Sequence, residues 1–383
     1  MLYTPAFAAL FAANLSLVAS FAAFFLFPLF ITDHGGTQQD IGIIMGSFAL
    51  ASALCRPWVA EMVDRIGRKR SYSLGCLIMT LMPLLHLPLV GPLNNYYLLL
   101  LLYRIIHGIG LAICFTAVFT FIVDLIPEKR LNEGIGMFGT SGLTGLAIGP
   151  LIAEPILNQY GYTAFFLTTS ALAAFALLLH QPIRDLHRSR TNIEKNSLSF
   201  FALLQQRKLL ISAGLAVVFG FGLAATGNFI APLVQDRQLG LISFYYLAYS
   251  FAAISIRFFS GRLADRIGEA QIIPWGICLA ASGLLLIPFI RGNILLIICG
   301  FIFGIGHGLL FPAINSMAIR NEPYAVRGKV TGIFTGGIDS GSFIGALILG
   351  QVGELFGYTG LFISAAIIVL CGLLIFRLRP KLC

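Results

Sequence analysis

The sequence predicts an all-α integral membrane protein, with twelve transmembrane helices in two pseudo-symmetric six-helix bundles and both termini cytoplasmic. Three observations carry that expectation. The chain of 383 residues is 58% hydrophobic and 11% charged, with a mean hydropathy of +0.89. Such a polypeptide has lipid for most of its solvent, since a soluble domain of this size needs far more polar surface. Its densest charged stretch, R-P-W-V-A-E-M-V-D-R-I-G-R-K-R from Arg56 to Arg70, recurs 201 residues later as R-F-F-S-G-R-L-A-D-R-I-G from Arg257 to Gly268. The basic residues, finally, are distributed unevenly between alternate loops.

A spanning helix needs roughly 20 apolar residues. Broken at turn signals and charge clusters, the chain yields such runs near 7–31, 40–62, 71–91, 97–124, 133–158, 163–183, 209–234, 241–262, 270–290, 293–319, 329–356 and 358–378. The first begins M-L-Y-T-P without a basic residue, and its apolar run is too long for a secretory signal, so it is expected to be retained as helix 1.

The duplication holds a second register, of 196 residues. It carries His107-Gly-Ile-Gly onto Phe303-Gly-Ile-Gly, Pro127 onto Pro323, Gly136 onto Gly332, Gly149 onto Gly345, and Tyr160-Gly-Tyr-Thr onto Phe356-Gly-Tyr-Thr. A period this long indicates a duplicated bundle, because solenoid repeats are much shorter. The expected units are residues 1–183 and 209–383. Between them, 184–208 contains R-D-L-H-R-S-R-T-N-I-E-K-N and reads as a cytoplasmic linker, with Leu198–Leu204 as a short helix on the membrane surface.

Of 25 Lys and Arg, Arg237 and Arg291 fall in odd-numbered loops, and Arg56, Arg104 and Arg257 fall within helices. The other 20 lie in even-numbered loops, the linker or the C-terminal tail, which the positive-inside rule places in the cytoplasm. The net charge of +9 therefore reflects topology, and no nucleic-acid partner is needed to explain it. The seven cysteines show no metal or redox spacing, so neither a metal nor another cofactor is expected.

No G-x4-G-K-[ST] phosphate loop occurs, and no cytoplasmic segment is large enough for a nucleotide-binding domain. Movement of a solute must then draw on an ion gradient or on the solute's own gradient. Proton coupling in lipid needs an ionisable group near mid-membrane. Asp339 lies within about 5 Å of the midplane by its position in helix 11, on a polar face with Thr331, Thr335 and Ser342. Glu154 lies further out, on the helix 5 face that carries Thr140 and Thr144, and Glu354 reads as a solvated boundary residue. His307, Phe311 and Asn315 share one face of helix 10, which makes His307 a third proton-coupling candidate.

With these features in place, the chain resembles the major facilitator superfamily of secondary transporters over nearly its whole length. The family's loop signature G-x-x-x-D-R-x-G-R-[RK] appears as Ala60, Asp64, Arg65, Gly67, Arg68 and Lys69, with Ala at the first glycine, and again as Gly261, Asp265, Arg266 and Gly268. The helix 4 signature R-x-x-x-G-x-G matches Arg104, Gly108 and Gly110. The helix 5 antiporter pattern G-x8-G-x3-G-P-x2-G-G is met by Gly136, Gly145, Gly149 and Pro150, but Ala153 and Glu154 replace its last glycines. Close helix packing accounts for the same glycines without any antiport.

The resemblance implies that helices 1, 4, 7 and 10 line a central cavity. That makes Asn14, Arg104, His107, Asn228 and Asn315 substrate-cavity candidates, joined by Thr335 of the helix 11 stripe. It also implies that Arg68 pairs with Asp124. The two repeat registers carry these onto Glu269 and Arg320, an ion pair of swapped sign. Both pairs, with Arg56, Asp64, Arg65, Gly67, Arg257, Asp265, Arg266 and Gly268, are expected to close the cytoplasmic side and release it on opening.

The reading that follows is a secondary transporter of the inner membrane, working as a monomer and exporting a small organic or amphiphilic solute against inward proton flow by alternating access. Proton-coupled or facilitated uptake is the alternative. A receptor or scaffold would have eroded gating motifs, and an enzyme would need a zinc-ligand pair or a nucleophile–base arrangement that the sequence lacks.

Overall fold

The structure, a computed structural model, describes residues 3–127, 130–183, 200–320, 322–323 and 326–379, and every regular element among them is helical. Helices α1 (Pro5–Ala23) and α2 (Phe27–Asp33) form one continuous run through a single 3₁₀ turn at Phe24–Leu26. Pro28 explains the turn, since it has no N–H to offer the Phe24 carbonyl four residues back. A capping box starts α3 (Gln38–Ile66): Asp40 Oδ2 accepts from the Thr37 N–H at 2.8 Å, and Thr37 Oγ1 accepts from the Asp40 N–H at 3.2 Å. Next come α4 (Arg68–Leu85), α5 (Tyr97–Leu125) and α6 (Leu131–Leu179). The C-terminal half has α7 (Phe200–Leu204), α8 (Arg207–Asp236), α9 (Ser243–Ile267), α10 (Glu269–Leu286), α11 (Asn293–Ile319) and α12 (Arg327–Arg377).

Eight helices among the described residues are long and apolar enough to cross a membrane. Two are double length. At 1.5 Å per residue, the 49 residues of α6 and 51 of α12 would each reach over ~70 Å, against a hydrocarbon core of ~30 Å. Each is broken at a glycine in the left-handed region, Gly161 (φ 75°) and Gly357 (φ 66°), the glycines of the repeated G-Y-T motif. Gly67 (φ 93°) and Gly268 (φ 78°) likewise separate α3 from α4 and α9 from α10 at the repeated D-R-I-G. The sequence duplication is thus a duplication of backbone breaks.

Internal packing repeats in the same way. α1 runs along the first part of α6, and α8 along the first part of α12. A β-carbon at Gly145 would stand 2.6 Å from the Leu15 carbonyl oxygen, and one at Gly341 would collide with the Val217 carbonyl. Small residues here let two backbones touch. Between halves, α3 packs on α12, α6 on α9 and α2 on α8. The linker expectation falls largely on residues 184–199, outside the described ones. Its short helix is α7, which buries Leu203 in a cluster with Ala318, Val326 and Val330. Apolar side chains of the C-terminal half offer it a dry partner.

Candidate functional site

The interface between the halves holds several of the candidate residues. Near its middle, Asp339 of α12 faces Arg56 of α3. Arg56 Nη2 stands 2.6 Å and Nε 2.8 Å from Asp339 Oδ2, which also accepts from Ser52 Oγ at 2.9 Å. Both members of the pair are largely buried, with 16% and 21% of their side chains exposed. Asp339 is therefore neutralised by the opposite half, a partner its own helix could not reveal. Thr335, one turn away, donates to the Thr331 carbonyl of α12 at 2.9 Å.

At the end away from the basic loops, two carboxylates reach across the interface to helix N-termini. Glu154 of α6 accepts from the Ile242 N–H at 2.6 Å and the Ser243 N–H at 2.8 Å, where α9 begins. Glu354 of α12 accepts from the Gln38 N–H at 3.1 Å, where α3 begins. Anions are favoured at such ends because the first N–H groups of a helix lack intrahelical partners. Gln235 adds a bond from its Nε2 to Asp33 at 3.2 Å. Glu354 is exposed, as a solvated boundary residue should be, and it also makes this contact with the other half. The repeat does not signal it, since the 196-residue register carries Glu154 onto Gly350 and not onto Glu354.

Arg257 occupies on α9 the place that Arg56 holds on α3 in the 201-residue register. Its guanidinium lies over the Phe311 ring, 5.4 Å from the centroid, and Nη1 comes 3.7 Å from where a β-carbon on Gly139 of the other half would sit. Its Nε is buried without a partner. Tyr249 hydroxyl bonds His307 Nδ1, and the His307 and Phe311 rings stack with centroids 5.9 Å apart. Asn315, one turn further along α11, has its side-chain oxygen buried and unpartnered. Asn228 of α8 is half-buried.

The N-terminal candidates sit elsewhere. Asn14 donates to Ser141 at 2.7 Å, pinning α1 to α6 within its own half. Arg104 and His107 are buried together, with Nη1 and Nδ1 3.2 Å apart. Around the Arg104 guanidinium stand Phe24, Phe27 and Phe48, at 5.2, 5.3 and 4.5 Å. These three residues are turned into the N-terminal bundle, where three ring faces surround the Arg104 cation. Gly145 and Gly149 face α1, while Gly136 has open space around it; Pro150 follows within the same helix.

Both loop pairs form, each within one half. Arg68 is paired with Asp124, and Arg320 Nη2 stands 2.6 Å from Glu269 Oε1, which Ser316 Oγ also reaches at 2.6 Å. Burial alone would raise the Glu269 carboxyl, but the bonds from Ser316 and Arg320 outweigh it and hold it below the ordinary value. These contacts tie a loop to its own bundle and do not bridge the bundles. Arg65 pairs with Glu61 at 2.5 Å on the surface. The side chains of Asp64, Asp265 and Arg266 lie outside the described residues.

Against known proteins, the sequence profile of the Major Facilitator Superfamily matches residues 9–290 and again 213–382. The multidrug resistance protein MdtG of Serratia proteamaculans is 28% identical over 94% of this chain and 88% of its own length. The staphylopine export protein of Staphylococcus aureus is 21% identical over 91% of this chain and 87% of its own length. Among solved structures, a mutant form of the nucleoside transporter NupG superposes with a TM-score of 0.80 at 13% identity, covering 98% of this chain and all of that one. That likeness concerns the fold.

Proposed function

Because the chain belongs to the major facilitator superfamily, and is therefore a multi-pass membrane transporter, we propose that it is a proton-coupled antiporter exporting a small organic or amphiphilic solute. Two six-helix units, 1–183 and 209–383, rock about the interface, with α6 and α12 each supplying two of twelve crossings. The basic loops and both termini face the cytoplasm, and the membrane is the cell inner membrane. In this arrangement the contacts of Glu154 and Glu354 close the outer side.

One observation carries the coupling, the Arg56–Asp339 ion pair that joins the halves. Rocking that separates α3 from α12 at that level leaves Asp339 without its cation. An unpaired carboxylate in lipid is costly. Taking up a proton removes the cost, so Asp339 exchanges Arg56 for a proton once per cycle. Export is supported by the relatives named for multidrug resistance and staphylopine export, which align with nearly the whole chain.

Everted vesicles with and without the protein, energised by a pH gradient, test the reading against a panel of labelled solutes. Solute-dependent proton release with solute accumulation is expected. Accumulation driven by protons in right-side-out vesicles would assign uptake, and solute movement indifferent to pH would remove the coupling.

A further inference from the structure

We propose that Arg257 is the subsite for an anionic group, and that the transported solute is an amphiphilic organic anion or zwitterion whose carboxylate or phosphate-type group binds there. The inference rests on the transporter reading above and names its substrate class.

It starts from a broken symmetry. Arg56 and Arg257 are equivalent by the 201-residue repeat, and each reaches from its helix towards the opposite half. Arg56 meets the carboxylate of Asp339. In the 196-residue register the counterpart of Asp339 is Leu143, and the residue that Arg257 touches on the other half is Gly139. Neither is an acid. No described carboxylate stands within ion-pair distance of Arg257, whose Nε is buried and unsatisfied while its charge is met by the face of Phe311. A ring face compensates a desolvated guanidinium only in part, and its N–H donors lie in the guanidinium plane, where a carboxylate or phosphate is held by two parallel bonds.

Arg104 supplies the contrast. It also lacks an acid among the described residues, but it is 2% exposed and closed in by three phenylalanines, Met45 and His107, so no ligand reaches it. Arg257 lies instead at the contact between the moving halves and is half-buried. Phe311 beside it provides an apolar wall for the body of the ligand, and Asn315, one turn on from Phe311, has an unpartnered buried oxygen that accepts from an N–H or O–H elsewhere on the solute. A cation completed by solute rather than by protein makes occupancy of the interface depend on the anionic group.

The test is binding, so its failure is distinct from failure of antiport. The full protein in phosphatidylcholine nanodiscs is titrated with 4-phenylbutyrate and with its neutral isostere 4-phenylbutyramide, reading the thermal unfolding midpoint. The acid should bind at least about tenfold more tightly than the amide, as expected for a charge-assisted bidentate pair. Arg257→Gln should abolish the preference, Arg257→Lys should keep part of it, and Arg130→Gln at an exposed surface site should leave it intact. Gly139→Asp is a second route if Arg257→Gln does not fold. It places a carboxylate beside the guanidinium, where a β-carbon meets only ordinary contact, and should also abolish the preference. Equal binding of acid and amide, or a preference that survives both variants, overturns the proposal. Stabilisation by phosphatidylglycerol in the disc without any effect of the soluble acid assigns the anion to lipid and overturns it too.

Discussion

Glu154 and Glu354 reach across the interface in opposite directions, Glu154 to the Ile242 and Ser243 N–H groups at the start of α9 and Glu354 to the Gln38 N–H at the start of α3. The Glu154 contact is the tighter, with both oxygens engaged and the side chain buried. On the proposed topology, opening the outer side must break both. Glu154→Gln keeps the shape and removes the charge, weakening a helix-end interaction of about 1 kcal/mol, roughly a fivefold shift of population. Spin labels near the Gly161 break of α6 and at the start of α9 should report more of the separated state in Glu154→Gln, and more again with Glu354→Gln added. Unchanged distance distributions in the double variant would show that the caps do not hold the gate.

Asp339→Asn should abolish pH-driven transport while leaving solute counterflow, because exchange needs rocking but no net proton movement. The measurement is counterflow and pH-driven flux in the same proteoliposomes. Retained pH-driven flux would move the proton site to Glu154.

Gly149→Ala tests the helix 5 glycines as packing. Its β-carbon would run into the Ala19 carbonyl and the Ala23 backbone. Overpacking of this kind costs about 1–3 kcal/mol, so the unfolding midpoint should fall, as it should for Gly341→Ala, the counterpart of Gly145 at the α8–α12 contact. Normal stability in both, with coupling lost, would return the pattern to an antiporter role.

The Glu269–Arg320 pair has a pH signature. Hydrogen bonds hold the folded Glu269 carboxyl below its ordinary value. Its contribution is therefore complete above the unfolded carboxyl value, about 4.3, and is lost as pH falls through the lower folded value. With 47% of the Arg320 side chain exposed, the contribution should stay under about 1 kcal/mol. Glu269→Gln should flatten the stability profile between about pH 5 and pH 3 in that proportion. The double reversal Glu269→Arg with Arg320→Glu should recover what either single reversal loses, and failure to recover it would show that the charges act separately.

The sequence by itself determined the elements. Length of apolar run decided where helices lie, and the repeated D-R-I-G and G-Y-T motifs marked backbone breaks that only a glycine at positive φ makes without strain. Those are local properties, carried by a few neighbouring residues. The duplication also announced the Glu269–Arg320 pair, since its members stand in register with Arg68 and Asp124. Only the tertiary structure decided which polar residues meet across the interface: Arg56 with Asp339, Glu154 with the start of α9, Arg257 with no acid among the described residues. Periodicity tells that a residue shares a face with its helical neighbours. It does not tell which half that face is turned towards, because that depends on how helices hundreds of residues apart bury their smallest side chains against one another.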